Sequence, residues 1–152
     1  MPMPFATATD RGAGFTLVEL IVVLAIVAVL GSIAVPQYLE YMRRGRLTEA
    51  TTRLADHRVR MEQYYLDNRR YDDDTGNCGW PVAPVGGSDA FALACTANAS
   101  FYTVTATGVA ARGMLGFVYT IDQANARRTT GVPAGWVPND ACWVVRRDGT
   151  CG

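Results

Sequence analysis

The sequence predicts an α+β chain: one long N-terminal α-helix, kinked near Pro36, packed on a small antiparallel β-sheet. Three observations carry that expectation. Leu20 to Leu30 reads LIVVLAIVAVL without a polar residue, and its apolar flanks extend the segment from Phe15 to Val35. Apolar residues then recur at helical spacing as far as Asn68. Beyond Cys78 the pattern changes to short runs of β-branched and aromatic residues separated by glycine and proline, and all four cysteines lie in that part. The chain divides accordingly into a leader (1–14), an apolar half-helix (15–36), an amphipathic half-helix (37–68) and a globular head (69–152) with the sheet and a C-terminal disulfide loop.

The 152 residues carry no net charge, with fourteen arginines, no lysine and fourteen acids. Zero net charge argues against a general binder of polyanions, although local arginine clusters still matter. There is one histidine, His57, and no CxxC, so no metal site or cofactor is expected. Nor is there an HExxH, GxSxG or P-loop pattern, which removes the common hydrolase and nucleotide-dependent classes.

The leader, MPMPFATATDRGAG, is small and polar with two prolines and no periodicity. The apolar segment that follows is long enough to cross a bilayer core, which takes about 20 residues. An ordinary secretory signal is cut after such a run, and Ser32-Ile33-Ala34 offers a small-x-small tripeptide there. The other feature is Glu19, a lone carboxylate near the head of the segment. At bilayer depth a charge costs roughly 2.5–3.5 kcal/mol, which leaves it either snorkelling to water or paired.

Gly14-Phe15 followed by Glu19 at the head of an apolar helix closely resembles the prepilin signature of type IV pilins. The resemblance implies cleavage between Gly14 and Phe15 by a prepilin peptidase, N-methylation of Phe15, and retention of the helix in the mature chain. It also implies that Glu19 pairs with the Phe15 amine of a neighbouring subunit during assembly. The implied partners are other pilin subunits, the peptidase with its N-methyltransferase activity, an inner-membrane assembly platform and the membrane itself. The implied location is the bacterial inner membrane, single pass with the C-terminal part periplasmic, and then the extracellular pilus. One feature runs against this orientation: Arg43, Arg44 and Arg46 follow the span, whereas only Arg11 precedes it, the reverse of a positive-inside bias. The cysteines, which suit an oxidising compartment, favour the pilin orientation.

Pro36 removes a helical hydrogen bond and clashes with the preceding turn, so a kink is expected over Ser32–Pro36. In pilins a proline at the matching position accompanies a curve in the helix. Helical periodicity then resumes. Leu47, Ala50, Leu54, Met61 and Tyr65 form one apolar stripe, and Glu40/Arg44, Glu49/Arg53 and Asp56/Arg60 stand as i,i+4 pairs on the other faces. His57 reads as one more residue of the polar face. From Phe15 to Asn68 the helix would be on the order of 80 Å long, suited to a filament spine. Asp72-Asp73-Asp74 followed by Gly76 is oxygen-rich like a calcium loop, but beside Arg69 and Arg70 it reads as a solvated turn.

In the head, strands are expected over Phe91–Thr96, Phe101–Thr107 and Phe117–Asp122. Arg127–Thr130 pairs back, and Cys142–Arg146 forms a last strand before the Asp148-Gly149 turn. Four cysteines allow three pairings. The local one, Cys78–Cys95 with Cys142–Cys151, tethers a long loop and staples the C-terminal turn at roughly 3 kcal/mol each; sequence leaves the other two open. Cys142 to Cys151 resembles the C-terminal disulfide loop of pilins, and the tail is similar to that of PilE-type minor (priming) pilins.

The reading is therefore a structural subunit of a type IV pilus, of the minor or priming kind, and no enzyme. Two alternatives stand beside it. A pseudopilin of a type II secretion system is a near relative, though paired cysteines are less usual there. A pilin for DNA uptake would use Arg127-Arg128 and Arg146-Arg147, converging near Trp136 and Trp143 to combine charge with base stacking. Arginine doublets are more often ordinary solvated surface.

Overall fold

The computed structural model describes residues 14–87 and 89–152. Of the expected leader, 1–14, residues 1–13 lie outside the described residues. The elements in chain order are α1 (Leu17–Asn68), β1 (Phe91–Ala97), β2 (Tyr102–Gly108), a 3₁₀ turn (Ala110–Arg112), β3 (Val118–Asp122) and β4 (Arg127–Gly131). The four strands form an antiparallel meander in the order β1-β2-β3-β4. This is the α+β architecture that the sequence predicts. Packing divides the chain into two units, one ending at Tyr38 and one from Leu39 to Gly152. α1 carries Pro36 within it.

In the first unit α1 is apolar on every face. From Phe15 to Tyr38 each side chain is exposed, and Gly31 alone is half-buried. A helix that is hydrophobic all round takes its burial from a bilayer or from neighbouring helices.

The second unit holds the core. Its stripe on α1 is Leu47, Ala50, Leu54, His57 and Met61, spaced three and four residues apart. Against it stand Phe91 of β1; Tyr102, Val104 and Ala106 of β2; and Tyr119 and Ile121 of β3. Met114, Phe117, Trp136, Trp143 and Val144 come from the connections. Alternation in β2 and β3 turns every second side chain inward, as period-2 patterning requires. His57 corrects the expectation of a polar-face residue. It lies three residues after Leu54 and four before Met61, within the stripe, and is 5% exposed. Burial pushes its imidazole below the usual histidine value; Asp56 opposes that shift and Arg60 adds to it. Its Nε2 has no hydrogen-bond partner.

Polar contacts fasten α1 to the head at several levels. Arg46 Nη1 donates to the Arg112 carbonyl at 2.6 Å, and Arg53 Nη1 to the Phe91 carbonyl at 3.0 Å. Glu49 accepts the Ala90 amide at 3.2 Å. Arg53 also pairs with Glu49 at 3.6 Å and with Asp89 at 3.1 Å, and Arg60 with Asp56 at 2.9 Å. Glu40 departs from the expected pairing: it meets Arg43 at 3.4 Å and Arg147 at 3.5 Å rather than Arg44. At the C-terminal end of the helix Tyr71 and Tyr102 both donate to the Glu62 carboxylate, and their rings meet edge to face. The sequence 72–77 is a closed turn. The Asp73 carboxylate accepts from the Thr75 hydroxyl and from the Thr75 and Asn77 amides, which brings its pKa down to about 2. No group of acids, histidines or cysteines arranged to hold a metal occurs among the described residues.

The hairpin turns are built from local side-chain hydrogen bonds. Asn98 Oδ1 accepts the Ser100 and Phe101 amides between β1 and β2, and Asp122 Oδ1 accepts those of Ala124 and Ala126 between β3 and β4. Gly108 closes β2 because a Cβ there would overlap the Met114 carbonyl.

The expected strand over Cys142–Arg146 is not one. Thr129 of β4 meets this segment with its side chain: Oγ1 accepts the Val144 amide at 2.9 Å and donates to the Cys142 carbonyl at 2.7 Å. The Thr129 amide goes to the Asn139 carbonyl. With β4's inner residue engaged this way no ladder propagates, and Val144 makes a single bridge, to Cys151. Trp143 and Val144 look strand-like in sequence because both are buried under β3. The indole donates to the Thr120 carbonyl at 2.9 Å, and the Tyr119 hydroxyl donates to the Val144 carbonyl at 2.6 Å.

Candidate functional site

The N-terminal segment is organised by Thr16. Its Oγ1 accepts the Glu19 amide at 3.2 Å, and its carbonyl accepts the Leu20 amide at 3.2 Å. Thr16 is therefore the N-cap, and Glu19 is the third helical residue of a T-x-x-E sequence, the spacing of a capping box. A carboxylate in the first turn also faces the positive end of the helix dipole. This helix-starting role of Thr16 and Glu19 was legible in the spacing, although the charge of Glu19 is its more conspicuous feature. Phe15 precedes the cap and is 83% exposed. Among the described residues Glu19 makes no ion pair within its own chain. Further along, the Ser32 hydroxyl donates to the Val29 carbonyl at 2.7 Å, in the turn before Pro36.

The cysteines are paired as Cys78–Cys95 and Cys142–Cys151, with Cα separations of 6.0 and 5.9 Å, and none is free. The first bridge ties the loop after α1 to β1, and the second folds the C-terminal segment on itself.

The two arginine doublets are anchored differently. Arg127 and Arg128 are exposed on β4, beside Asp140 and Ala141. Arg127 lies over the Trp143 ring at 4.9 Å. Arg147 pairs with Glu40 on α1, while its carbonyl accepts the Val137 amide. Base stacking on Trp136 and Trp143 is excluded by their burial: both are under 10% exposed, Trp136 packs edge to face on Phe117, and Trp143 is covered by Arg127. The exposed tryptophan is Trp80, in the loop after α1, with Arg60 over its ring at 5.1 Å. Tyr119, which ties the core to the C-terminal loop, has its phenol pKa raised by burial.

A capped, all-round apolar helix is joined in sequence to a disulfide-stapled α+β head, and that combination defines the class of chain. Residues 10–35 match the prokaryotic N-terminal methylation motif, and residues 36–114 match the family described as type IV minor pilin ComP, DNA uptake sequence receptor. The type IV major fimbrial protein FimA of Dichelobacter nodosus is 31% identical over 141 residues, covering 90% of this chain and 84% of that one. The type IV major pilin protein PilA of Myxococcus xanthus (strain DK1622) is 33% identical over 70 residues, 46% of this chain and 32% of PilA. A type IV major pilin protein PilE1 of Neisseria gonorrhoeae is 33% identical over 71 residues, 47% of this chain and 43% of PilE1. The chain thus spans less than half of PilA and PilE1 but most of FimA. Among solved structures, the non-core minor pilin PilV of Neisseria meningitidis aligns over 61% of this chain and 91% of its own, at 20% identity and a TM-score of 0.45. The chain belongs to the type IV pilin family.

Proposed function

We propose that this pilin is a minor subunit of a type IV pilus, made as a prepilin, cut between Gly14 and Phe15, methylated on Phe15 and drawn from the membrane into the filament by its N-terminal helix. The observation that carries this is the helix itself. Its apolar half is unburied throughout, with one carboxylate, Glu19, in the first turn. That half needs an apolar environment from outside the chain, and the membrane followed by a bundle of like helices supplies it in turn. Cleavage after Gly14 creates an amine at Phe15, one helical turn before Glu19 in the sequence. A neighbouring copy's amine can then neutralise Glu19 and set the axial register. Pro36 marks the end of the apolar half, where the helix is free to loosen on assembly. The peptidase with its methyltransferase activity and an inner-membrane assembly platform are the partners this processing requires. The minor assignment rests on the description of the family matched over residues 36–114, since the relatives named above are major pilins.

Mass spectrometry of the mature protein from membranes tests the processing. The expected product starts at N-methylated Phe15 and is four hydrogens lighter than its reduced form, two for each disulfide. A product starting at Val35 would discard the helix and end the reading. Glu19→Leu should remove the subunit from sheared pili while leaving it in the membrane and processed.

A second reading is favoured by the same family description: a pilin that takes up DNA. Arg127, Arg128, Arg146 and Arg147 are its contact residues, through phosphates and without the buried tryptophans. Full-length protein in detergent should then bind duplex DNA with an affinity that falls steeply with salt, and replacing the four arginines by glutamine should abolish binding. Binding unchanged by those replacements would remove these residues from the reading.

A further inference from the structure

The arginines that follow the apolar span contradict a positive-inside orientation, and the structure shows what they are joined to. Glu40 lies five residues beyond Val35 on α1. Its carboxylate gathers Arg43 from its own helix at 3.4 Å and Arg147 from the C-terminal disulfide loop at 3.5 Å. Arg44 and Arg146 are the chain neighbours of these two, and both are exposed. Glu49 lines a hollow with Arg44 but is matched by Arg53, which leaves Glu40 and Asp148, and Asp148, near Arg146, is engaged with Thr150 in the turn. Four guanidiniums against two carboxylates leave a cationic surplus. Arg46, by contrast, is held against the head by its bond to the Arg112 carbonyl.

Exposed amphipathic side chains accompany this cluster. Tyr41, two residues before Arg43, is 74% exposed, and Val137, whose amide bonds to the Arg147 carbonyl, is exposed as well. Tyrosines placed just past an apolar span occupy the interfacial belt of a bilayer, with arginines at the depth of its phosphates. Charge at this place therefore has a use other than setting topology.

We propose that Arg43, Arg44, Arg146 and Arg147 form a docking surface for the anionic phospholipid headgroups of the bilayer that holds the span, so that the C-terminal disulfide loop rests on the membrane until the subunit is extracted. The proposal rests on the pilin reading of Phe15–Val35 as a membrane span. Glu40 supports the surface by holding two guanidiniums together, and the lipid phosphates neutralise what Glu40 leaves uncompensated.

The test uses the full chain in nanodiscs of phosphatidylcholine alone and of phosphatidylcholine with roughly one-third phosphatidylglycerol, read by amide hydrogen exchange over residues 40–46 and 143–150. Exchange there should slow by about threefold or more in the anionic discs, with the sheet unchanged, and the protection should fade with salt. R146Q/R147Q and R43Q/R44Q should each lose it at an unchanged melting temperature, and R146K/R147K should keep most of it. Equal exchange in both discs overturns the proposal. So does equal protection by inorganic phosphate added to neutral discs, which would mark a general anion site. Protection by a duplex oligonucleotide and none by phosphatidylglycerol overturns it in favour of nucleic acid. A chain that enters neither disc removes the membrane reading and this proposal together, an outcome distinct from the others, in which insertion is intact.

Discussion

Two stretches of the same helix, 17–39 and 47–61, are both rich in apolar side chains and treat them in opposite ways. In the second, Leu47, Ala50, Leu54 and Met61 occupy one stripe and are closed off by the chain's own sheet. In the first, the apolar residues surround the helix and none is closed off. A stripe can be satisfied by one partner surface, whereas an all-round apolar helix needs a surrounding medium. The difference separates the two halves: the striped half is closed by the chain's own sheet and stabilises its fold, and the unstriped half keeps an apolar surface that only something outside the chain can cover.

Substitutions can break that division of labour. The largest effect on folding is expected at Leu54, fully buried in the middle of the stripe. Leu54→Ala should lower the stability of the head by about 2–5 kcal/mol, as large-to-small changes in packed cores do. The matched change Leu24→Ala, at a side chain 58% exposed, should shift the same unfolding curve by less than about 0.5 kcal/mol. Denaturant melts of the full chain in detergent, followed by near-ultraviolet circular dichroism of the head, give both numbers. If Leu24→Ala destabilises the head as much as Leu54→Ala, the two halves are not energetically separate.

A smaller effect sharpens the comparison within the head. The Tyr119 hydroxyl is the buried link between β3 and the Val144 carbonyl, at 2.6 Å. Tyr119→Phe keeps the ring and its packing on Phe91 and Phe117 but strands that carbonyl, at a cost of about 1–3 kcal/mol. The loss should concentrate in the C-terminal loop, seen as faster hydrogen exchange at Val144 and Val145 than in β1 and β2. Uniformly faster exchange would mean that the loop and the sheet unfold as one.

Much of this architecture was legible because its signals are local. The helix announces itself through three- and four-residue spacing, β2 and β3 through alternation, and the turns through Asn98, Asp122 and Gly108. What was not legible depends on contacts between distant residues. Nothing in CWVVR says that Thr129, thirteen residues before Cys142, will meet it with a hydroxyl and stop a ladder. Trp136 and Trp143 looked available for stacking because sequence does not reveal which side of the sheet a connection crosses. Glu40 was matched to Arg44 by spacing, whereas the fold delivers Arg147 from the far end of the chain. For the N-terminal segment the family signature spoke clearly, and the capping geometry of Thr16 lay beneath it unread.

His57 provides the finest probe of the stripe, because it is the one titratable residue among the helix's closed side chains and the chain's only histidine. Burial lowers its folded-state pKa below 6.5. The unfolded chain, with an ordinary histidine, therefore binds more protons than the folded one once the pH falls below about 6.5. Stability consequently rises with pH through that window and becomes independent of His57 above it, with a slope of at most about 1.4 kcal/mol per pH unit for a single proton. The carboxylates act elsewhere: Asp73, lowered from 3.8 to about 2, contributes stability that is lost only as the pH falls through that lower range. The protonated imidazole has Asp56 in its favour and Arg60 against it, with no acceptor at Nε2. His57→Leu continues the apolar stripe and should erase the dependence between the folded-state pKa and 6.5 while leaving the more acidic limb in place. Melts of both proteins from about pH 5 to about pH 7.5, a range that brackets the ordinary histidine value, give the comparison, with imidazole nitrogen shifts of the single histidine recorded alongside. A slope that survives in the leucine variant would show that the stripe's pH response belongs to other groups, and that His57 is solvated in solution.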